Sequence, residues 1–172
     1  MLEIKVFTSV DDLLAERIID FDRHCMQSTL DNAGILFPEQ NRRKSFQSNP
    51  TVIVAFAGDE IAGYIEYLRS WNDPRYIYIS SLQIRETYRR TTLLLALIDR
   101  FRESVNGEEF LGFETNVQKL NRPAVEMYRK VGFQLTENPR NKASWIATAG
   151  PELLTQSPII PIIEKWRSRS KR

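Results

Sequence analysis

The chain has 172 residues, 42% hydrophobic and 27% charged, with a formal net charge of +2. That is enough chain for one domain with a full core, and the charge balance excludes the footprint of a dedicated nucleic-acid binder. The single cysteine, Cys25, excludes an internal disulfide and predicts a cytoplasmic protein.

The N-terminal "LEIKVF" alternates apolar and polar residues and predicts a strand. It lacks the apolar core of a signal peptide. "SVDDLLAERIIDFDRH" predicts a helix, with Ser9 and Asp12 at capping-box spacing and Leu14, Ile18 and Phe21 on one face. Residues 28–37 read as a loop, with Asn32 and Gly34 as turn formers. "PEQNRRKSFQS" reads as a short helix opened by Pro38. Its arginines and lysine predict a positive patch.

Three strands follow: "TVIVAFA", "IAGYIEYLRS" and "YIYISSLQI", separated by turns at "GDE" and "WNDPR". "TTLLLALIDRFRESV" predicts a helix with Leu94, Leu97, Ile98, Phe101 and Val105 on one face, stopped by Asn106-Gly107. Its apolar run, Leu93 to Ile98, is too short to span a membrane. "EFLGFETNV" is a strand, "RPAVEMYRKVG" a helix between Pro123 and Gly132, and "FQLTE" and "ASWIATA" closing strands. Beyond Pro151, Pro158 and Pro161 forbid one continuous helix. The order is β-α-α-β-β-β-α-β-α-β-β. Three sequential strands imply antiparallel pairing and the strand–helix–strand unit at 76–117 a parallel crossover. The expected fold class is therefore α/β (α+β), a mixed, mostly antiparallel sheet flanked by helices.

Chemistry has one obvious place to gather. Arg89, Arg90, Thr91 and Thr92 stand where the third strand of the series gives way to a helix. Amides at a helix start are unpaired and the helix dipole favours an anion there, so guanidinium, amide and hydroxyl donors converge. The plain alternative is a solvated helix start with charges beside it. His24 and Cys25 are adjacent, so on a helix they point about 100° apart and make no nucleophile–base pair. No cluster of metal-ligating residues is evident, so no metal is expected.

"NRPAVEMYRKVGF", residues 121–133, resembles the fourth helix of the GNAT N-acetyltransferase superfamily, a pattern matched by Asn121, Ala124, Tyr128, Gly132 and Phe133. The strand order fits that family's fold too, so the resemblance covers most of residues 1–148. It implies a GNAT-like acyltransferase domain over residues 1–150, followed by a tail at 151–172, partly apolar and then basic. Segment 84–98 then falls where the family keeps its acetyl-CoA pyrophosphate loop. Arg89 fits that loop's first position, while Thr92 and Leu94 stand where glycine and Gly/Ala are usual. Glycine there lets backbone approach a phosphate without a Cβ; Thr92 keeps a donor, Leu94 adds bulk, and Arg90 adds charge. The resemblance further implies that Leu82, Gln83 and Ile84 pair with the pantetheine arm, and that Arg89, Arg90, Thr91, Thr92, Leu93 and Asn121 belong to the acetyl-CoA site.

Acetyl transfer to an amine requires the amine to lose a proton, the thioester carbonyl to be polarised and the leaving thiolate to be reprotonated. Tyr128 matches the family's general acid. Its plain reading is a buried aromatic with a satisfied hydroxyl. Where relatives often place a strand carboxylate, this chain has Ser80 and Ser81. Glu66 in "GYIEYL" is the best remaining base, with an outward-facing strand residue as its plain reading, and Glu114 is a weaker candidate.

The resulting expectation is an acetyl-CoA-dependent N-acetyltransferase acting on an amine of a small molecule or a protein. The alternative is a catalytically degenerate GNAT-fold binding or regulatory module. Neither a specific nucleic acid nor a membrane is an expected partner. Residues 164–172 hold five Lys/Arg and one Glu, so this end carries +4 and residues 1–163 carry −2. A short basic end is a solvated tail. The apolar "IIPII" at 159–163 packs either on its own domain or on a second copy, which makes a homodimer a candidate state.

Overall fold

The computed structural model describes residues 2–34, 36–89 and 92–170. Its elements are β1 (Leu2–Phe7), α1 (Asp12–Ala33), α2 (Glu39–Ser45), β2 (Thr51–Ala57), β3 (Glu60–Arg69), β4 (Tyr76–Ile84), α3 (Leu93–Val105), β5 (Gly112–Gln118), α4 (Arg122–Val131), β6 (Gln134–Glu137), β7 (Ser144–Ala149), α5 (Leu153–Gln156) and α6 (Ile160–Ser170). Short 3-10 turns occupy Phe46–Ser48 and Glu86–Tyr88. The seven strands hydrogen-bond in the order β1-β2-β3-β4-β5-β7-β6. The β1–β2, β2–β3, β5–β7 and β6–β7 pairs are antiparallel and β4–β5 is parallel. This is the mixed, mostly antiparallel sheet with helices that the sequence implies.

The chain forms two compact units. The first comprises Met1–Leu68 and Ser81–Ser104. Its core gathers Leu14, Ile18 and Phe21 of α1 with Val52, Val54 and Phe56 of β2 and Tyr64 of β3. The predicted α1 face is thus the buried one. Two details differ from expectation. Asp11, not Ser9, caps α1: its Oδ1 accepts from the Leu14 amide at 2.8 Å. The helix also runs on through most of the expected loop to Ala33, where Gly34 closes it with φ 65°. Gly34 therefore marks a helix stop rather than the middle of a loop.

α3 buries Leu93, Leu97, Phe101 and Val105, an unbroken ridge at spacing four, while Leu94 and Ile98 are half-buried beside it. The helix starts at Leu93, the first residue of its apolar run, two residues after the start expected from the sequence.

The second unit comprises Arg69–Ser80 and Val105–Arg172. It buries Phe113 and Val117 of β5, Val125, Tyr128 and Val131 of α4, Ala147 of β7, and Ile160 and Ile163 of α6. The apolar end segment therefore contributes to this chain's own core, although Ile162 remains 54% exposed. The break between α5 and α6 falls at 157–159, where Pro158 forbids a continuous helix.

α4 has both ends closed by sequence-coded devices. Asn121 caps its start, its Oδ1 accepting from the Ala124 amide at 3.3 Å, with Pro123 in the first turn. Gly132 ends it at φ 115°. The Gly132 amide donates to the Arg129 carbonyl at 3.1 Å and the Phe133 amide to the Tyr128 carbonyl at 2.9 Å. That is the paired closure in which the residue after the glycine packs back on the last turn. Here the Phe133 and Tyr128 rings meet edge to face at 5.1 Å. A Cβ on Gly132 would also stand 3.2 Å from Leu153 Cδ1. Gly132→Ala is therefore expected to destabilise the protein by about 1–3 kcal/mol through backbone strain. Urea unfolding checks this, and an unchanged midpoint would show that the closure adds nothing.

Candidate functional site

In the first unit, β4 leads into α3. Leu82, Gln83 and Ile84 are half-buried. A Cβ on Gly63 of β3 would lie 2.9 Å from the Gln83 carbonyl oxygen, so glycine there permits close backbone approach. The Arg85 amide donates to the Ala62 carbonyl at 2.9 Å. Arg89 is exposed, its amide donates to Glu86 O, and its Nε donates to the Ile84 carbonyl at 3.2 Å. That bond leans Arg89 back onto the end of β4.

Arg90 and Thr91 lie outside the described residues. Thr92 is exposed and its carbonyl accepts from the Ala96 amide at 3.0 Å, so it sits at the first turn of α3. Leu93, named above as a site residue, has its side chain wholly buried in the α3 ridge. Its backbone alone is left to meet a ligand. Exposed Arg89 and Thr92 at the start of a helix of 13 residues form a donor set that fits phosphate.

The same unit holds an ionic network that the sequence reading missed. Glu66 is not an outward-facing strand residue; it is 1% exposed. Its Oε1 accepts from Arg42 Nη1 at 3.1 Å and its Oε2 lies 2.7 Å from Arg42 Nη2. Arg42 Nε donates to Asp22 Oδ2 at 2.7 Å, Nη1 to Ser45 Oγ at 2.9 Å and Nη2 to Tyr64 Oη at 3.1 Å. The Tyr64 hydroxyl donates to Asp22 Oδ1 at 2.6 Å and lies 2.8 Å from Ser81 Oγ.

Burial pushes the Asp22 carboxyl up, against the opposing pull of Arg42 and Tyr64. It also pushes the Tyr64 phenol well up, with the Asp22 charge adding to the effect. One guanidinium thus joins two carboxylates, and a hydroxyl chain leads from them to half-buried Ser81 on β4. The network answers the positive patch expected on α2. Arg42 is consumed internally, and Arg43 pairs with Glu16 and Glu39.

In the second unit, Tyr128 is 8% exposed. Burial pushes its phenol up to about 12, with a hydrogen bond to Thr115 pulling the other way. It therefore holds its proton throughout the neutral range. Asn121 is exposed and engaged as the α4 cap. The Glu114 carboxylate accepts from the Ser70 hydroxyl. The parallel ladder between β4 and β5 spans three residue pairs, from Tyr76–Gly112 to Tyr78–Glu114. Beyond it β4 continues to Ile84 and β5 to Gln118. Among the described residues, no group of three His, Cys, Asp or Glu is placed to hold a metal ion. No described helix is long and apolar enough to cross a membrane.

Comparison with known proteins then places the chain. The model of the acetyltransferase (GNAT) family matches residues 14–133. No curated protein sequence matches. Solved structures share the fold. An acetyltransferase from Thermus thermophilus is 17% identical, with a TM-score of 0.68 over 87% of this chain and 97% of that one. The PaiA N-acetyltransferase from Thermoplasma acidophilum, solved with coenzyme A, is 17% identical, with a TM-score of 0.66 over 86% and 99%. Arabidopsis thaliana NAA60, solved with a bisubstrate analogue, is 17% identical, with a TM-score of 0.61 over 86% and 98%.

Proposed function

We propose, since this chain belongs to the acetyltransferase (GNAT) family, that it transfers an acetyl group from acetyl-CoA to an amine of a small molecule or a protein. Residues 1–150 form the transferase portion and 151–172 its tail, and the lone Cys25 suits a cytoplasmic setting. The observation that carries the reading is the pair of exposed residues Arg89 and Thr92 between β4 and α3. Acetyl-CoA supplies an activated acetyl group as a thioester. The backbone of Leu82, Gln83 and Ile84 holds its pantetheine arm. Arg89, Arg90, Thr91, Thr92 and the amide of Leu93 hold its phosphates, and Asn121 is a further acetyl-CoA-binding residue.

The amine nitrogen attacks the thioester carbonyl carbon, a C–N bond forms, and the C–S bond breaks. The proton shed by the amine passes to Asp22, one of the two carboxylates on Arg42, while Glu66 holds the guanidinium from its other side. Ser81 and Tyr64 provide the hydroxyl path, with steps of 2.8 and 2.6 Å. Tyr128, protonated at neutral pH, returns a proton to the departing thiolate.

Thr92 and Leu94, in place of glycine, favour the second reading, a binding module without turnover. A thermal melt tests acetyl-CoA binding itself. At a hundredfold excess over its Kd, acetyl-CoA is expected to stabilise the protein by about 2.7 kcal/mol. A melt unmoved by millimolar acetyl-CoA would remove the donor site, and the transferase with it.

A further inference from the structure

The second unit carries a pocket of about 550 Å³ that the transferase reading does not use. That volume suits a small organic ligand. Amide residues line much of it, Asn72 before β4, Asn116 and Gln118 on β5, and Asn138 and Asn141 after β6, beside Pro139 and Ile146. Arg140 is its cation, and among the described residues lining it there is no carboxylate. The nearby acidic groups are committed elsewhere, Glu114 to Ser70 and Glu137 to Lys119.

The loop that presents Arg140 is fixed before any ligand arrives. Asn138 Oδ1 accepts the Arg140 amide at 3.0 Å and the Asn141 amide at 3.2 Å, and its Nδ2 donates to Ser144 Oγ at 3.0 Å. Both Asn138 and Ser144 are buried. Such preorganisation removes an ordering cost from binding. The Arg140 guanidinium, by contrast, is exposed. It makes one long contact, 3.5 Å to Asn72 Oδ1, and among the described residues no ion pair. Asn116 Nδ2 donates to Tyr78 Oη at 3.3 Å and its Oδ1 accepts from Asn138 Nδ2 at 3.4 Å. Gln118 is exposed.

The chemistry narrows the ligand. A primary amide offers two N–H donors and an acceptor, matching amide or hydroxyl groups, and it carries no charge. A guanidinium presents a planar fork that grips a carboxylate with two parallel bonds. One fork neutralises one negative charge, which suits a monoanion better than a phosphate dianion. A cationic ligand end meets no counter-charge here.

We propose that this pocket binds a carboxylate-bearing, amide- or hydroxyl-rich molecule of roughly amino-acid to dipeptide size.

The test is calorimetric titration of the full chain without acetyl-CoA, using N-acetylalanylalanine and its C-terminal amide, which differ only in the carboxylate. Binding of the acid, at least about tenfold tighter than the amide, is expected, and Arg140→Met should weaken the acid to the level of the amide. Arg140 is exposed, so the variant should melt with the wild type, and a matching melt confirms that lost binding is local. Equal binding of acid and amide, no heat from either, or undiminished acid binding by Arg140→Met overturns the proposal. Because acetyl-CoA is absent, the result stands apart from the transferase reading. Acid binding by a protein that never transfers acetyl supports the pocket and fails the transferase. Transfer without acid binding does the reverse.

Discussion

Replacing Arg42 with methionine is expected to cost about 3–5 kcal/mol of stability, because two carboxylates lose their shared counter-ion inside the first unit. Glu66 and Asp22 have side chains only 2% and 5% exposed, and both lean on this one guanidinium. Arg42→Lys should recover part of the loss, since an ammonium keeps the charge but not the fork that reaches Asp22, Glu66 and Tyr64 together.

The pH dependence carries a defined sign. Asp22 has its folded pKa raised above the ordinary 3.8, with desolvation as the leading cause. Its contribution to stability is therefore fully present below 3.8 and lost as pH rises through the raised value. Removing Arg42 takes away the main pull in the other direction, so the variant's loss should be smallest in acid and grow towards neutral pH. Urea melts at several pH values read this out. A variant as stable as the wild type at neutral pH would show that the network adds no net stability.

Tyr128→Phe is expected to lower turnover by about 10²–10⁴, the range for loss of a general acid. Binding of acetyl-CoA should persist. The ring stays against Phe133, so packing survives. Loss of the bond with Thr115 should cost only about 0.5–1.5 kcal/mol. Full turnover by the variant would reduce Tyr128 to its structural part in the α4 closure. The phenol itself gives a second check. Raised to about 12, it should add a late phenolate step that the variant lacks. The stability tied to its protonated form is fully present below the ordinary 10.0 and lost as pH rises through about 12.

The Asn121–Phe133 segment is legible because its code is local. A cap, a first-turn proline, an αL glycine and a ring that folds back lie within one short helix. The same locality gives Tyr128 a structural reason to be tyrosine or another aromatic, which sequence cannot separate from catalysis. The ionic network is illegible for the opposite reason. Arg42 meets Asp22 and Glu66 from 20 and 24 positions away. No short-range pattern distinguishes an arginine that will be buried from its neighbour Arg43, which lies at the surface with Glu16 and Glu39.

Simple alternation makes Glu66 outward-facing, whereas seven consecutive β3 residues, Ile61 to Tyr67, are buried. A strand covered on both faces has no outward side for alternation to report. Leu93 departs from expectation in another way. Its position beside Thr92 suggests the ligand, but helical spacing with Leu97 and Phe101 commits its side chain to the core. The end of α1 is hard to place because polar residues before Gly34 resemble a loop, and only the glycine signals where the helix stops.

The most direct test of acetyl transfer is release of free thiol from acetyl-CoA by the intact protein, measured against a panel of amines that includes carboxylate-bearing ones. The account predicts release that requires an amine, saturates with it and falls by about 10²–10⁴ in Tyr128→Phe. Stabilisation by acetyl-CoA without thiol release for any amine in the panel would contradict the transferase and leave a fold that binds acetyl-CoA without turning it over.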